Sequence, residues 1–310
     1  MAIYDCFTFF NEIDILKIRL EILSPYVDRF IIVESPYTFR GEAKKLHFKE
    51  CENEFEEYKD KIIYVVADNV PQYTGIGDWG IEIYQRNMIS SGLYDCNPND
   101  IVIISDIDEI PNIDILKKVK DNSYIELDFP QDRGKRDKIK FLYYSLVQKT
   151  LFNNIRALKK RRVKILDTLD VIPLSCEQDL YYYYMNCKSR GIWYGSMFLK
   201  YKNFTSPQQI RNMRNSCITI KRGGWHFSYL GGVSSIQKKL KSIIDTDPGL
   251  NRKMQEYSTN DEYIESCISK GIDIYGRKGK EFEYNFISLN KIGIPNAKKI
   301  SDIYPDLFRL

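Results

Sequence analysis

Residues 100–112 read DIVIISDIDEIPN and join an apolar run to three acids, Asp106, Asp108 and Glu109. The run is typical of a buried strand, and Pro111 stops the segment. Asp106 and Asp108 are two residues apart, so a sharp turn at the strand end brings both carboxylates onto one small ion. Such oxygen ligands suit Mg²⁺ or Mn²⁺, which keep positions open for phosphate oxygens. The stretch therefore predicts a metal site for a diphosphate. The alternative is structural, with DIDE capping the strand and starting a helix over 112–120.

The pattern around this stretch predicts an α/β fold. The first 120 residues alternate short apolar runs with amphipathic segments, which we interpret as β-α-β-β-α-β-α with mainly parallel strands. In open sheets of this kind, ligands bind at the carboxyl ends of the strands. Polar residues collect at those ends, so we expect them to line one site: Asn11, Glu12, Glu34, Asp106 and Asp108.

The rest of the chain is richer in tyrosine. FLYYSLV (141–147) and LYYYYMNC (180–187) are strand candidates, and helices are expected near 234–244 and 261–270. No long Pro/Gly/Ser linker divides the chain, so we predict a single domain over 1–310, with halves at 1–120 and 121–275. A tail over 276–310 is expected to dock through three apolar residues, Ile303, Leu307 and Phe308.

Composition excludes several classes of protein. Lys and Arg exceed Asp and Glu by only 46 to 42, which is too little for a nucleic-acid-binding surface. The seven cysteines lack CxxC spacing, so neither a disulfide framework nor a zinc site is expected. The N-terminus has no signal-peptide pattern and no stretch approaches 18 apolar residues, so we expect a soluble protein that is not exported.

Two further segments carry polar residues of interest. In QRNMISSGL (85–93), Arg86 either pairs with phosphate, holds the acidic loop, or is a solvated helix residue. In GGWHFSYLGG (223–232), His226 is a good third ligand for a divalent metal, and its flanking glycines allow close approach of a ligand. A packed core histidine is the alternative for His226.

Five segments in this order resemble glycosyltransferase family 17, the group of the β-1,4-mannosyl-glycoprotein N-acetylglucosaminyltransferases. They are DCFTFFNEIDILKIRL, RFIIVESPYTFRG, QRNMISSGL, IISDIDEIP and GGWHFSY, and the resemblance spans about residues 3–275. It implies a GT-A fold of Rossmann-like, nucleotide-binding type, with a nucleotide-sugar-binding half at 1–120 and an acceptor half at 121–275. It also implies a UDP-sugar donor and inversion at the anomeric carbon.

The resemblance also implies roles for single residues. Asp108 is expected to bind the metal directly, Asp106 to contact the ribose or a metal-bound water, and His226 to be the third ligand. Asn11, Glu12, Glu34 and Arg86 are expected to line the donor pocket. The catalytic base stays open: Glu109 adjoins the metal loop, and the acceptor half offers Asp128, Asp132, Glu177 and Asp179.

We therefore expect an inverting, metal-dependent transfer of a sugar, such as N-acetylglucosamine, from a UDP-sugar to a glycan or glycolipid hydroxyl. The lack of a membrane anchor favours a cytoplasmic enzyme of bacterial or viral origin. The basic run LKKRRVK (158–164) is either a solvated surface or a site that steers an anionic acceptor near a membrane.

Two alternatives remain. One is a carbohydrate-binding protein that keeps the GT-A shape without turnover, although a pure binder has no need of a metal loop. The other is a phosphatase of the haloacid-dehalogenase type, against which Ile110 stands where Thr or Val is required. A nucleotidyltransferase is disfavoured because no glycine-rich, lysine-containing phosphate loop follows the first strand.

Overall fold

The computed structural model describes residues 1–129, 162–243 and 260–310. These residues form one mixed sheet of eleven strands. The strands are β1 Ile3–Phe9, β2 Arg29–Glu34, β3 Ile62–Val66, β4 Ile101–Asp106, β5 Glu109–Pro111, β6 Tyr124–Asp128, β7 Arg162–Lys164, β8 Leu174–Tyr182, β9 Cys187–Lys200, β10 Thr219–Ser228 and β11 Tyr284–Phe286. The helices are α1 Ile13–Leu23, α2 His47–Glu50, α3 Gly80–Asn87, α4 Ile89–Gly92, α5 Ile113–Lys120, α6 Ile165–Leu169, α7 Pro207–Asn212, α8 Gly232–Ser242, α9 Asp261–Lys270 and α10 Ala297–Ile303.

The N-terminal strands form the parallel part of the sheet. They lie in the order β3-β2-β1-β4, and each neighbouring pair is parallel. All residues of β1 are buried, and so is every residue of β4 before Asp106. Continuous apolar runs of this kind are typical of parallel strands covered on both faces. The predicted β-α-β-β-α-β-α pattern is confirmed for its main elements, and the structure adds the short helix α2 and the short strand β5.

Alternating residues of each central strand face opposite apolar layers. On β4, Ile101 and Ile103 belong to one layer, whereas Val102 and Ile104 belong to the other. Helix α1 packs on the first layer, and the α4 region packs on the second through Ile89. This arrangement follows from the period of two along a strand and gives the sheet a core on each side.

Beyond β4 the sheet is no longer parallel. Strand β9 runs antiparallel to both β4 and β8, whereas β8 and β10 are parallel. The predicted strand LYYYYMNC is only partly confirmed, because β8 ends at Tyr182 and Tyr183 turns the chain with φ of 72° before β9 begins at Cys187. FLYYSLV lies outside the described residues. The two helices expected near 234–244 and 261–270 are confirmed as α8 and α9.

The acidic segment is a strand, a tight turn and a second strand. Strand β4 ends at Asp106, and β5 begins at Glu109 and pairs with β10. Helix α5 then starts at Ile113, and the Asn112 side chain caps it by accepting from the backbone N–H of Asp114 at 3.0 Å. Asn112 caps this helix rather than an acid of DIDE, which leaves the carboxylates available for other contacts.

A buried arginine holds this turn from inside the protein. Arg19 of α1 is fully buried and makes a two-bond ion pair with Asp5 of β1, at 2.8 and 2.7 Å. Its Nη1 also donates to the carbonyl oxygens of Asp106, Ile107 and Glu109, at 3.1, 2.9 and 2.9 Å. Buried carbonyls need such partners, so Arg19 fixes the backbone path of the turn.

The C-terminal tail docks on the core by two of the three predicted residues. Leu307 and Phe308 are each 6% exposed, whereas Ile303 is 51% exposed and does not take part. Ile300, about one turn earlier in the same helix, is buried in its place. Within the described ranges, no helix has both the length and the apolar content that a membrane span requires. None of the seven cysteines forms a disulfide, and all seven lie within the described residues.

Replacing Arg19 with Met should lower the free energy of unfolding by about 3–5 kcal/mol, because Asp5 is left as a buried charge without a partner. Denaturant unfolding followed by circular dichroism measures this. The control is Lys17→Met on the same helix, which removes a partly exposed pair with Glu54 and should cost no more than about 1 kcal/mol. Equal losses in the two variants would show that Arg19 does not clamp the turn.

Candidate active site

A cleft of about 1210 Å³ opens where the parallel strands end. Thr8, Phe10 and Glu12 line it at the end of β1, and Asp106 and Asp108 line it at the end of β4. The second half of the chain contributes the opposite wall, with residues of β9, β10, α8, α7 and the turn after α7 that include Trp193, Arg211, Arg214, His226 and Lys239. The position matches the rule that ligands bind at the carboxyl ends of parallel strands.

Asp106 points into this cleft between two arginines. Its Oδ2 accepts from Arg211 at 2.5 Å, and its Oδ1 accepts from Arg86 at 3.3 Å. Burial alone would raise the pKa of Asp106, but the charges of Arg211 and Arg86 outweigh it and hold the pKa below its ordinary value. Asp106 is therefore an ionised, oriented carboxylate and a weak base.

Asp108 lies between a histidine and a lysine. His226 Nε2 is 3.5 Å from Asp108 Oδ1, and Lys239 Nζ donates to Oδ2 at 3.0 Å. Burial would raise the pKa of Asp108, but Lys239 and His226 hold it well below its ordinary value. The structure thus brings together two of the predicted metal ligands, Asp108 and His226. Nδ1 of His226 is buried and has no hydrogen-bond partner in the described structure.

Glu109 turns away from the cleft and is completely buried. Its carboxylate accepts two bonds from Arg211, at 2.9 and 2.6 Å, and one from Trp193 Nε1 at 2.6 Å. The backbone N–H of Asp106 also donates to it, at 3.2 Å. A carboxylate held in this way orients Asp106 and Arg211, so the geometry favours a structural role for Glu109 over that of a base.

The predicted donor-pocket residues are spread over three environments. Glu12 lines the cleft, and its carboxylate accepts from the N–H groups of Phe10 and Asn11, at 3.3 and 3.0 Å, which fixes the end of β1. Asn11 follows β1 but does not line the cleft described here. Arg86 lines it and bridges Glu82 and Asp106, as expected of a residue that holds the acidic loop.

Glu34 has a different environment from the one expected. It is fully buried, and its carboxylate binds the segment that follows β2. Its donors are Lys44 Nζ at 2.9 Å, the backbone N–H of His47 at 2.6 Å, that of Phe48 at 3.1 Å and the Tyr64 hydroxyl at 2.9 Å. With these four partners, Glu34 anchors α2 and does not reach the described cleft.

Of the four acids beyond residue 120 that the sequence offered as alternative bases, the three that the structure describes do not line this cleft. They are Asp128, Glu177 and Asp179, and the exposed Asp179 pairs with Lys188 at 2.7 Å. Asp132 lies outside the described residues, as do FLYYSLV and the first four residues of the basic run LKKRRVK. The rest of that run forms β7, whose Arg162 side chain is exposed.

The glycines around His226 serve contacts between strands. Gly224 has φ of 153°, and a Cβ there would lie 2.2 Å from the carbonyl oxygen of Ile110. A Cβ on Gly223 would lie 2.6 Å from Cβ of Cys176. Both glycines let β10 approach its neighbours closely, whereas the sequence pattern predicted the approach of a ligand.

Four residues that hold the site were missed by sequence reasoning. Arg19, Arg211 and Lys239 each lie in an amphipathic segment that is typical of a solvated helix, and Trp193 lies in an ordinary strand pattern. The only signal is the pair of arginines in IRNMRN (210–215), three residues apart and so on one side of a helix. That spacing alone does not identify their partners.

Comparison with known proteins finds a family similarity in the first part of the chain. Residues 1–128 match the sequence model of glycosyltransferase family 17. The resemblance is therefore confirmed over the region that contains Asp106 and Asp108, and it includes four of the five motif segments. The fifth segment, GGWHFSY, lies beyond the match, and its family role stays a prediction.

Curated relatives match a shorter stretch. The human and rat proteins named beta-1,4-mannosyl-glycoprotein 4-beta-N-acetylglucosaminyltransferase are each 35% identical to this chain over 107 residues. The mouse protein of the same name is 34% identical over 107 residues. The match covers 33% of this chain and 20% of each relative, so the chain aligns with about a fifth of their length.

The described residues offer a divalent ion two protein ligands at this site, Asp108 and His226. Within the described residues, no group of three His, Cys, Asp or Glu side chains is arranged to hold a metal ion. Asp108 and His226 do converge, and Mg²⁺ and Mn²⁺ are often bound by one or two side chains, with waters and substrate phosphates completing the shell. Asp106 fits a supporting role, because both of its oxygens already accept from arginines.

Replacing Arg211 with Gln should lower the free energy of unfolding by about 3–5 kcal/mol, because Glu109 and Asp106 lose the cation that compensates their charges. Denaturant unfolding measures the change. Arg222→Gln is the matched control, because that side chain is 82% exposed. Its loss should change the free energy of unfolding by no more than about 0.5 kcal/mol. A loss in Arg211→Gln as small as in the control would contradict the compensating role.

Proposed function

We propose that this chain is a glycosyltransferase that moves a sugar, N-acetylglucosamine by analogy with the named relatives, from a UDP-sugar to a hydroxyl of a glycan or glycolipid. The observation that carries this is the position of Asp106 and Asp108. They belong to the region that matches family 17, they end a central parallel strand, and they line a cleft of about 1210 Å³. That volume exceeds the usual range of about 300–1,000 Å³ for small-molecule pockets, so it can hold a donor and part of an acceptor.

In this proposal, Asp108 and His226 hold a Mn²⁺ or Mg²⁺ ion. When bound, the ion supplies positive charge to the diphosphate leaving group. The protein's own residues prepare the site. Arg86 and Arg211 orient Asp106 toward the donor, and Arg19 fixes the turn beneath it. Preorganised charges of this kind stabilise a transition state without rearrangement during the reaction.

Inversion at the anomeric carbon requires a base within hydrogen-bond reach of the acceptor hydroxyl. Asp106 and Asp108 are weak bases because their pKa values are held low, so we assign them electrostatic roles. Glu109 is buried behind them. The GT-A fold, the division at residues 120 and 275, a cytoplasmic location and peripheral membrane contact stay predictions.

A thermal-shift panel of UDP-, GDP-, CMP- and TDP-sugars, with and without Mn²⁺, tests the proposal. A ligand that binds only the native state raises the melting temperature, and we expect this for a UDP-sugar in the presence of metal. Asp108→Asn keeps the shape of the side chain but removes its charge, so the shift should disappear. Asp114→Asn on the exposed side of α5 should retain the shift.

Each failure of this panel has a distinct meaning. A shift with GDP-, CMP- or TDP-sugars alone would reject the UDP donor but keep the enzyme class. Glycan binding that ignores nucleotide and metal would instead support the carbohydrate-binding alternative. A stable beryllofluoride adduct of an aspartate, which mimics phosphoaspartate, would support the phosphatase alternative.

Lys239 competes with a metal for Asp108, since its ammonium group already binds Oδ2. Replacing Lys239 with Met should therefore tighten Mn²⁺ binding roughly ten-fold, equal to about 1.4 kcal/mol. Titration of free Mn²⁺ by electron paramagnetic resonance measures this. Lys241→Met on the same helix is the control, because Lys241 is exposed and should leave the affinity unchanged. Unchanged or weaker Mn²⁺ binding in Lys239→Met would reject Asp108 as the metal ligand.

A further inference from the structure

Arg214 differs from the other cations around the cleft. Arg86, Arg211 and Lys239 each lie within 4.0 Å of a carboxylate oxygen, and so does Arg277. Arg214 also lines the cleft, but among the described residues no acid forms an ion pair with it. Within the described ranges its Nε is buried without a hydrogen-bond partner, as is that of Arg86, but Arg86 has two carboxylates as partners for its other nitrogens. A cation in a cleft without a paired acid is suited to an anionic ligand, because burial without a partner costs free energy.

The surroundings of Arg214 place that partner beside the acidic turn. The Arg214 guanidinium lies 5.4 Å from the ring centre of Trp193, and the Trp193 ring lies 4.5 Å from that of His226. His226 in turn is 3.5 Å from Asp108. An aromatic ring at this distance attracts the guanidinium cation without neutralising its charge, so the arginine still favours an anionic partner.

The charges near Arg214 also favour an anion. Burial and the neighbouring cations Arg211 and Arg86 lower the pKa of Arg214, although Glu109 and Asp106 oppose them. Those two acids already bind Arg211 directly. Positive charge at Arg214 is thus only partly compensated, and an incoming anion would relieve the repulsion between the arginines.

We propose that Arg214 is a binding residue for the diphosphate group of the donor. This inference rests on the proposed function, and it adds a contact from the part of the chain beyond the family match. A guanidinium forms paired hydrogen bonds to phosphate oxygens, which a lysine cannot do with the same geometry. Because Arg214 and Lys239 both line the cleft that contains Asp108, a diphosphate there meets cationic side chains even before a metal binds.

Inorganic pyrophosphate, titrated in the presence of EDTA and followed by calorimetry, tests this contact without a sugar, a nucleoside or a metal. We expect Arg214→Gln to weaken pyrophosphate binding at least ten-fold, because one charge-assisted pair is lost. Arg214→Lys should recover part of the affinity. Arg222→Gln is the matched control and should bind as the wild type does, since its side chain is 82% exposed and pairs with Glu126.

A second measurement uses only the wild-type protein, in case a variant folds poorly. Phenylglyoxal modifies accessible arginines, and peptide mapping reports each site. Pyrophosphate should protect Arg214 and leave the modification of Arg222 unchanged. Lack of protection, absence of pyrophosphate binding, or equal affinity in wild type and Arg214→Gln would overturn the inference. So would protection by p-nitrophenyl β-D-glucuronide in place of pyrophosphate, since the guanidinium would then serve an acidic acceptor.

The nucleotide-sugar panel separates this inference from the proposed function. If Arg214-dependent pyrophosphate binding occurs while no nucleotide sugar binds, the anion site stands and the proposed function fails. If a UDP-sugar binds equally well to wild type and Arg214→Gln, the proposed function stands and the role of Arg214 fails.

Discussion

The ion pair between Arg19 and Asp5 is the interaction on which the site depends. Both side chains are fully buried, and such a pair is retained only where hydrogen bonds satisfy its remaining groups. Here the remaining N–H groups of Arg19 bind the carbonyls of the turn and the Ser105 hydroxyl. The turn therefore has one backbone path. On that path Asp106 faces the cleft, whereas Glu109, three residues on, faces the interior.

The acids of the turn are completed by residues from far along the chain. Arg211 is 105 residues from Asp106, and Lys239 is 131 residues from Asp108. The site thus forms only when the second half of the sheet packs against the first through β4 and β9. The family match ends at residue 128, so it includes the carboxylates but none of these distant partners. Sequence similarity over the turn therefore says little about the residues of the opposite wall.

Sequence patterns predicted the elements that follow from hydrophobic periodicity, but they missed the ion pairs that depend on where a side chain points in the folded protein. The apolar run before Asp106 identified β4, and the strand-end rule placed Asp106 and Asp108 at the cleft. The same rule failed for Glu34. The end of a strand fixes the position of the backbone but not the groups that the side-chain carboxylate contacts. Arg19 was missed for a related reason. A basic residue in an amphipathic helix is usually solvated, and only the tertiary structure shows that this one has Asp5 beneath it.

The balance of charge limits how the site can bind a donor of the proposed kind. Asp106, Asp108 and Glu109 face Arg86, Arg211 and Lys239, so the acidic turn is close to neutral before any ligand arrives. A diphosphate brings negative charge, and it needs additional positive charge close by. In the proposed function, a divalent ion held by Asp108 would supply that charge and would displace the Lys239 ammonium group from Oδ2. The displaced ammonium group would then be available to the phosphates, whereas the arginines that orient Asp106 would keep their ion pairs. The ion would thus add positive charge to the cleft, and Lys239 would redirect a charge that the cleft already holds.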